Sequence, residues 1–260
     1  LGKGFDIHGG GKDLIFPHHE NEIAQSEVLF GRQYVKYWIH NGFVDINNEK
    51  MSKSLGNFTM IKEVLESYAP EVIRMFLLSN HYRSPIDYSE DSMRDVGLGL
   101  DRIYAFMERL QEAGLTGEDP ERGTLWDQFS EAMNDDFNSA KALASVFEAV
   151  KKGNRQLDEA GGHLDTDAAA RLGQDYHDIK AISDILGIFM LEPAAYFSSK
   201  KEKAMADQAI DPARIDALIQ ERADARKNKN FARADEIRDE LMDMKIVLED
   251  GPEGTTWRIE

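Results

Sequence analysis

Apolar residues recur along this chain with two different periods, and the change from one to the other divides it. Up to about residue 90, short apolar runs (FDIHGG, LIF, FVDI) alternate with helical stretches, the pattern of α/β structure. Pro17 suits the first turn of a helix, and Ile23, Val28, Leu29 and Phe30 give the segment after it an apolar side. IHNGFVDINNEK predicts a strand and turn, and 61–65 and 72–78 predict two helices separated by Ala69-Pro70. From about Ser92 the spacing of three and four takes over, predicting three long helices over 92–114, 127–157 and 167–189. Ile103, Phe106, Met107 and Leu110 share one face, and such stripes read as the core of a bundle.

Residues 195–211 have little apolar content and no clear period, which predicts a linker, open to disorder. A small unit follows. Asp211-Pro212 marks a helix start, with the Asp as N-cap, and Ile215, Leu218 and Ile219 follow at helical spacing. A second helix is expected over 231–245 with Ala234, Ile237, Leu241 and Met244 on one stripe. KIVLED, the turn GPEG and TTWRIE then predict a β-hairpin. No internal repeat is visible.

Composition narrows the picture. The 260 residues suffice for more than one domain, and no apolar run approaches membrane-spanning length. The chain opens on LGKGFDIHGG, neither a leader nor a starter methionine, so it reads as the middle of a longer protein. The absence of cysteine excludes disulfides and cysteine-only metal sites, and suits a reducing cytoplasm. A formal charge of −17 argues against non-specific coating of nucleic acid, but leaves room for one local basic patch. The stretch 226–238 is such a patch, with five basic residues against two acidic ones.

Three stretches can carry chemistry. In FPHHENE, His18 and Glu22 stand one helical turn apart and project from the same face, half of a tetrahedral zinc site. His19 lies about 100° further round and is the poorer third candidate. A surface His–Glu hydrogen bond is the plainer explanation of the pair, which does not settle the matter by itself. HGGGKDL places His8 and Asp13 around glycines that let a backbone approach a ligand. In KMSKS, Lys50 and Lys53 stand in a Ser- and Gly-containing loop able to close on phosphate oxygens, with ammonium groups against a leaving pyrophosphate.

KMSKS is the second signature of the class I aminoacyl-tRNA synthetases. FDIHGGGKDLIFPHHENEIAQSE with NGFVDINNEKMSKSLGN closely resembles the cysteinyl-tRNA synthetase family. The resemblance continues through SNHYRSPIDYSEDS and AMNDDFNSAKAL to the tail ARADEIRDELMDMKIVLEDGPEGTTWR. It implies ATP-dependent activation of L-cysteine, with Mg2+, and transfer to tRNA(Cys). It implies a zinc ion held by His18, Glu22 and two cysteines earlier in the parent polypeptide, a thiolate-selecting site that needs no editing. It implies ATP contact by Lys53 with Lys50 supporting, and a cysteine and adenylate pocket lined by His8 and Asp13. Arg226, Phe231, Asp235 and Asp250 fall at positions expected to read the anticodon, Phe231 by stacking.

The class I signature His-Ile-Gly-His is absent from the chain, as are the zinc cysteines. The expected fold is therefore α/β, the second part of a Rossmann-like catalytic domain (1–45), then a connecting region with KMSKS (46–90). An all-α helical bundle (91–194), a linker (195–210) and a small α/β anticodon-binding unit (211–260) complete it. A cytoplasmic monomer with no membrane partner is expected, and a piece of this extent is expected not to form adenylate alone. Two other readings compete: a cysteine ligase of mycothiol synthesis, which has no need of the tail, and a non-catalytic tRNA-binding protein.

Overall fold

In the computed structural model, which describes residues 4–46, 49–51, 59–116, 121–161, 163–207, 212–227, 230–243, 246–251 and 254–259, the first apolar run becomes strand β1 (Phe5–Gly11). It pairs in parallel with β2 (Val35–Asn41), in the register His8 to Trp38 and Gly10 to His40. A parallel pair needs a crossover, and here it is a 3-10 turn (Lys12–Leu14), a π turn (Ile15–His19) and helix α1 (Glu20–Phe30), closed by Gly31 in the left-handed region. Because side chains alternate along a strand, His8, Trp38 and His40 share the face covered by the start of α1. The opposite face holds Ile7 and Tyr37, both exposed. The apolar side expected on α1 is present in sequence but faces outward, with Val28 and Leu29 exposed.

Strand β3 (Val44–Ile46) pairs antiparallel with β4 (Glu49–Lys50) and parallel with β5 (Ile86–Tyr88). Between them lie α2 (Ile61–Ser67) and α3 (Pro70–Leu78), as the sequence predicts. Pro70 stands at the start of α3, where its missing N–H costs nothing. Phe76, Ile86 and Met93 form the buried centre here, flanked by Val64, Tyr68, Val72 and Ile73.

Helices α4 (Glu90–Glu112), α5 (Thr124–Asn134), α6 (Ser139–Ala160) and α7 (Thr166–Leu186) make the bundle. Ile103, Phe106, Met107 and Leu110 are fully buried, as their spacing predicts. The second of the three expected helices is in fact two. The break lies at 135–138, where Asp136 (φ 56°) and Phe137 (φ 53°) are left-handed and Asn138 caps α6 by accepting from the Lys141 N–H. Asn and Asp side chains compete for backbone groups, which stops a helix despite continuous periodicity. Glu71 of α3 ties into the bundle, accepting from Tyr104 Oη and from the Phe189 N–H.

The chain separates into two units, 1–190 and 191–260. In the second, the stretch expected to be a linker open to disorder is helical, α8 (Pro193–Asp207). That stretch lacks an apolar stripe, but Pro193 starts it and Ala, Lys, Glu and Met inside it are strong helix formers. Helices α9 (Pro212–Lys227) and α10 (Phe231–Asp243) and the hairpin β6 (Ile246–Gly251) and β7 (Gly254–Ile259) follow the prediction. Ile215, Leu218, Ile237, Leu241 and Ile246 form their core, each stabilising by about 1.5–3 kcal/mol relative to exposure. Met244 and the N-cap Asp211 lie outside the described residues.

Candidate active site

The crossover folds the Pro17 turn back over the polar face of β1 and β2. Glu22, in the first turn of α1, stands between two imidazoles: its Oε2 is 3.5 Å from His8 Nε2 and its Oε1 3.5 Å from His18 Nε2. His19 is buried, and its Nδ1 shares a hydrogen bond of 2.9 Å with His40 Nε2. Burial pushes the His19 imidazole's pKa down; His8 and His40 push the same way, and Glu22 opposes them. Trp38 backs the group, stacked on His8 at 4.6 Å and parallel to His40 at 5.9 Å. Gly10 leaves room for the His19 ring, since a Cβ there would lie 2.7 Å from His19 Cε1.

Ligand atoms of His8, His19 and Glu22 all lie within 4.8 Å of one another, close enough to share one metal ion. Two buried polar atoms at this spot, His8 Nδ1 and Glu22 Oε2, have no hydrogen-bond partner among the described residues. Such atoms in a folded protein call for an explanation, and a role as metal ligands is one. Imidazole and carboxylate are both zinc ligands, so the residues present fit zinc.

The predicted site residues are placed as follows. His18 and Glu22 are together at helical spacing, with the His18 side chain 59% exposed. His8 joins Glu22 from β1; the group of three is His8, His19 and Glu22, so His18 lies outside it, as does Asp13, which is exposed on the 3-10 turn. Lys50 pairs with Asp45 in the β4 ladder, and Lys53 lies outside the described residues. Phe231 is 62% exposed at the start of α10, with Asp235 exposed one turn on and Arg226 exposed near the end of α9. Asp250 pairs with Thr255 in the hairpin. The basic patch is partly neutralised: Arg233 bonds Glu221 at 2.8 Å and Glu236 at 3.1 Å. Sequence reasoning missed Trp38 and His40, and placed His19 behind His18; the i, i+2 spacing in WIH was the available signal.

Comparison with known proteins extends this picture. The family model described as tRNA synthetases class I (C) catalytic domain matches residues 1–97, the DALR domain matches 128–190, and the cysteinyl-tRNA ligase anticodon binding domain matches 212–258. Cysteine–tRNA ligases of Pelobacter propionicus and Geobacter metallireducens are each 50% identical, the alignments covering 100% of this chain and 56% of theirs. The chain thus spans about half the length of the curated relatives it matches. A solved ternary complex of Agrobacterium radiobacter K84 LeuRS with tRNA and LeuAMS shares the fold, with a TM-score of 0.53 at 18% identity over 73% of this chain and 28% of that one.

The partial Rossmann-like α/β region running into helical domains has the fold of the class I aminoacyl-tRNA synthetases, whose catalytic-domain model it matches. Within that class the three consecutive models and the relatives agree, and the chain belongs to the cysteinyl-tRNA synthetase family.

Proposed function

We propose that the polypeptide to which this chain belongs is a cysteine–tRNA ligase, activating L-cysteine with ATP and Mg2+ and esterifying tRNA(Cys). The observation that carries the reading is the Glu22 carboxylate set between the His8 and His18 imidazoles, with His8 Nδ1 and Glu22 Oε2 buried without a hydrogen-bond partner among the described residues. The names of the relatives support it.

In this reading His18 and Glu22 hold zinc together with two thiolates from elsewhere in the polypeptide. Zinc, when bound, supplies a soft Lewis acid that takes thiolate in preference to hydroxyl and so separates cysteine from serine. His8, stacked on Trp38, orients the amino acid, and Asp13 offers a carboxylate to its ammonium. The buried His19, its pKa pushed down by burial, fixes His40 through their shared hydrogen bond. Lys53, with Lys50, meets the phosphates of ATP, where fixed ammonium groups stabilise charge on the leaving pyrophosphate.

Residues 1–45 then belong to the catalytic domain, 46–90 to the connecting region, and 91–194 to a tRNA-binding bundle. Residues 211–260 read the anticodon through Arg226, Phe231, Asp235 and Asp250. No described helix is long and apolar enough to cross a membrane, and a cytoplasmic monomer fits the reading. The test compares the full-length polypeptide with 1–260. Full-length protein charges tRNA(Cys) with cysteine, whereas 1–260 gives no cysteine-dependent pyrophosphate exchange. Robust exchange by 1–260, or charging with another amino acid, overturns the reading.

A further inference from the structure

The loop 80–85 belongs to no helix or strand, yet four contacts from three parts of the first unit fasten it. The Arg83 carbonyl accepts from Lys12 Nζ at 2.6 Å, and Lys12 directly follows the glycines of β1. The Tyr82 carbonyl accepts from the Gly42 N–H at 2.7 Å, between β2 and β3. Gly42 is needed there because a Cβ would run into the Ser84 carbonyl. From the bundle, Ser139 Oγ reaches the Asn80 carbonyl at 3.5 Å.

The fourth fastening is the strongest. Asp136 Oδ1 accepts from Tyr82 Oη at 2.7 Å and from Arg83 Nη2 at 2.9 Å, while its Oδ2 lies 2.7 Å from Arg83 Nε and 3.8 Å from His81 Nε2. Isolated surface ion pairs hold little, but a forked Arg–carboxylate contact inside a network is different. The backbone also points to a constrained purpose. Asp136 and Phe137 are consecutive non-glycine residues in the left-handed region, at the break between α5 and α6. Such strain persists only where surrounding contacts over-determine it. The turn is therefore held in a costly shape that presents the Asp136 carboxylate to the loop.

We propose that Asp136 is a positioning residue, which through Arg83 and Tyr82 couples the helical bundle to the end of β1, so that RNA seated on the bundle is registered against the amino-acid site. The coupling rests on the proposed ligase function. The Lys12 contact uses a backbone carbonyl and survives side-chain changes, so cutting the Asp136 link leaves amino-acid activation in place and disturbs transfer to tRNA.

The test uses Asp136→Asn, Arg83→Gln and the double variant in the full-length polypeptide; Asn tolerates the left-handed backbone, which keeps the turn intact. Cysteine-dependent pyrophosphate exchange reads activation, and single-turnover transfer from preformed adenylate reads the coupled step. Each single variant is expected to slow transfer roughly three- to thirtyfold, with exchange within about twofold. The double variant is expected to be no worse than either single, the mark of one shared interaction. Unchanged transfer, additive losses, or an equal fall of exchange and transfer overturns the coupling. Absence of exchange in the unmodified polypeptide overturns the functional reading, and the coupling with it.

Discussion

Asp178 of α7 is fully buried, yet it lies 52–55 residues from the backbone it serves. Its Oδ1 accepts from the Gly123 N–H at 3.1 Å and its Oδ2 from the Trp126 N–H at 3.0 Å, so it caps α5, whose own N-cap position holds a glycine with no side chain. Gln174 Nε2 donates to the same carboxylate at 3.2 Å. Replacing Asp178 with alanine leaves two backbone donors and one amide without an acceptor. An unsatisfied buried donor costs about 1–3 kcal/mol, and losing the anion at a helix start adds about 0.3–1 kcal/mol. With partial relaxation the expected destabilisation is about 3–5 kcal/mol. Asp178→Asn keeps one acceptor oxygen and is expected to cost about 1–2 kcal/mol. Urea denaturation followed by far-UV circular dichroism measures both. Equal loss for the two variants, or a loss below about 1 kcal/mol for alanine, would refute the cross-helix cap.

Asp175, three residues before Asp178 on α7, has its carboxyl pushed up to about 6 by burial first and by Asp178 second, with Lys152 opposing. Its folded pKa lies above the unfolded value, so stability is fully present at acidic pH and is lost as pH rises from about 4 to about 6. Asp175→Asn is therefore expected to match the unmodified protein near pH 4 and to exceed it by up to about 2–3 kcal/mol at pH 7, read by denaturation at both pH values. Gly10→Ala is expected to drive the His19 ring out of its place beside His40, destabilise by about 1–3 kcal/mol and raise the KM for cysteine in the full-length polypeptide. Unchanged denaturation and kinetics would show that the ring has space to move.

Local patterns carried much of the fold. The helices α2 and α3, the bundle stripe around Ile103 to Leu110, and the terminal hairpin were legible because periodicity and turn residues act over a few positions. What escaped depends on partners far along the chain. The turn at Asp136 looks like continuous helix because its apolar spacing never lapses; the competing side chains decide it. Helix α8 lacks the stripe that signals burial, and propensity alone had to reveal it. At the site, the contact of His18 with Glu22 was legible from helical spacing. Trp38 and His40 were not, because a strand's functional face is set by what pairs with it and by the crossover folded over it.

The most direct measurement is the zinc content of the purified full-length polypeptide, by mass spectrometry of the metal, before and after replacing both His18 and Glu22 with alanine. About one zinc per chain in the unmodified protein, falling to a small fraction in the double variant with the fold retained, is the expected result. A metal-free parent, or zinc held equally well without either side chain, contradicts the assignment.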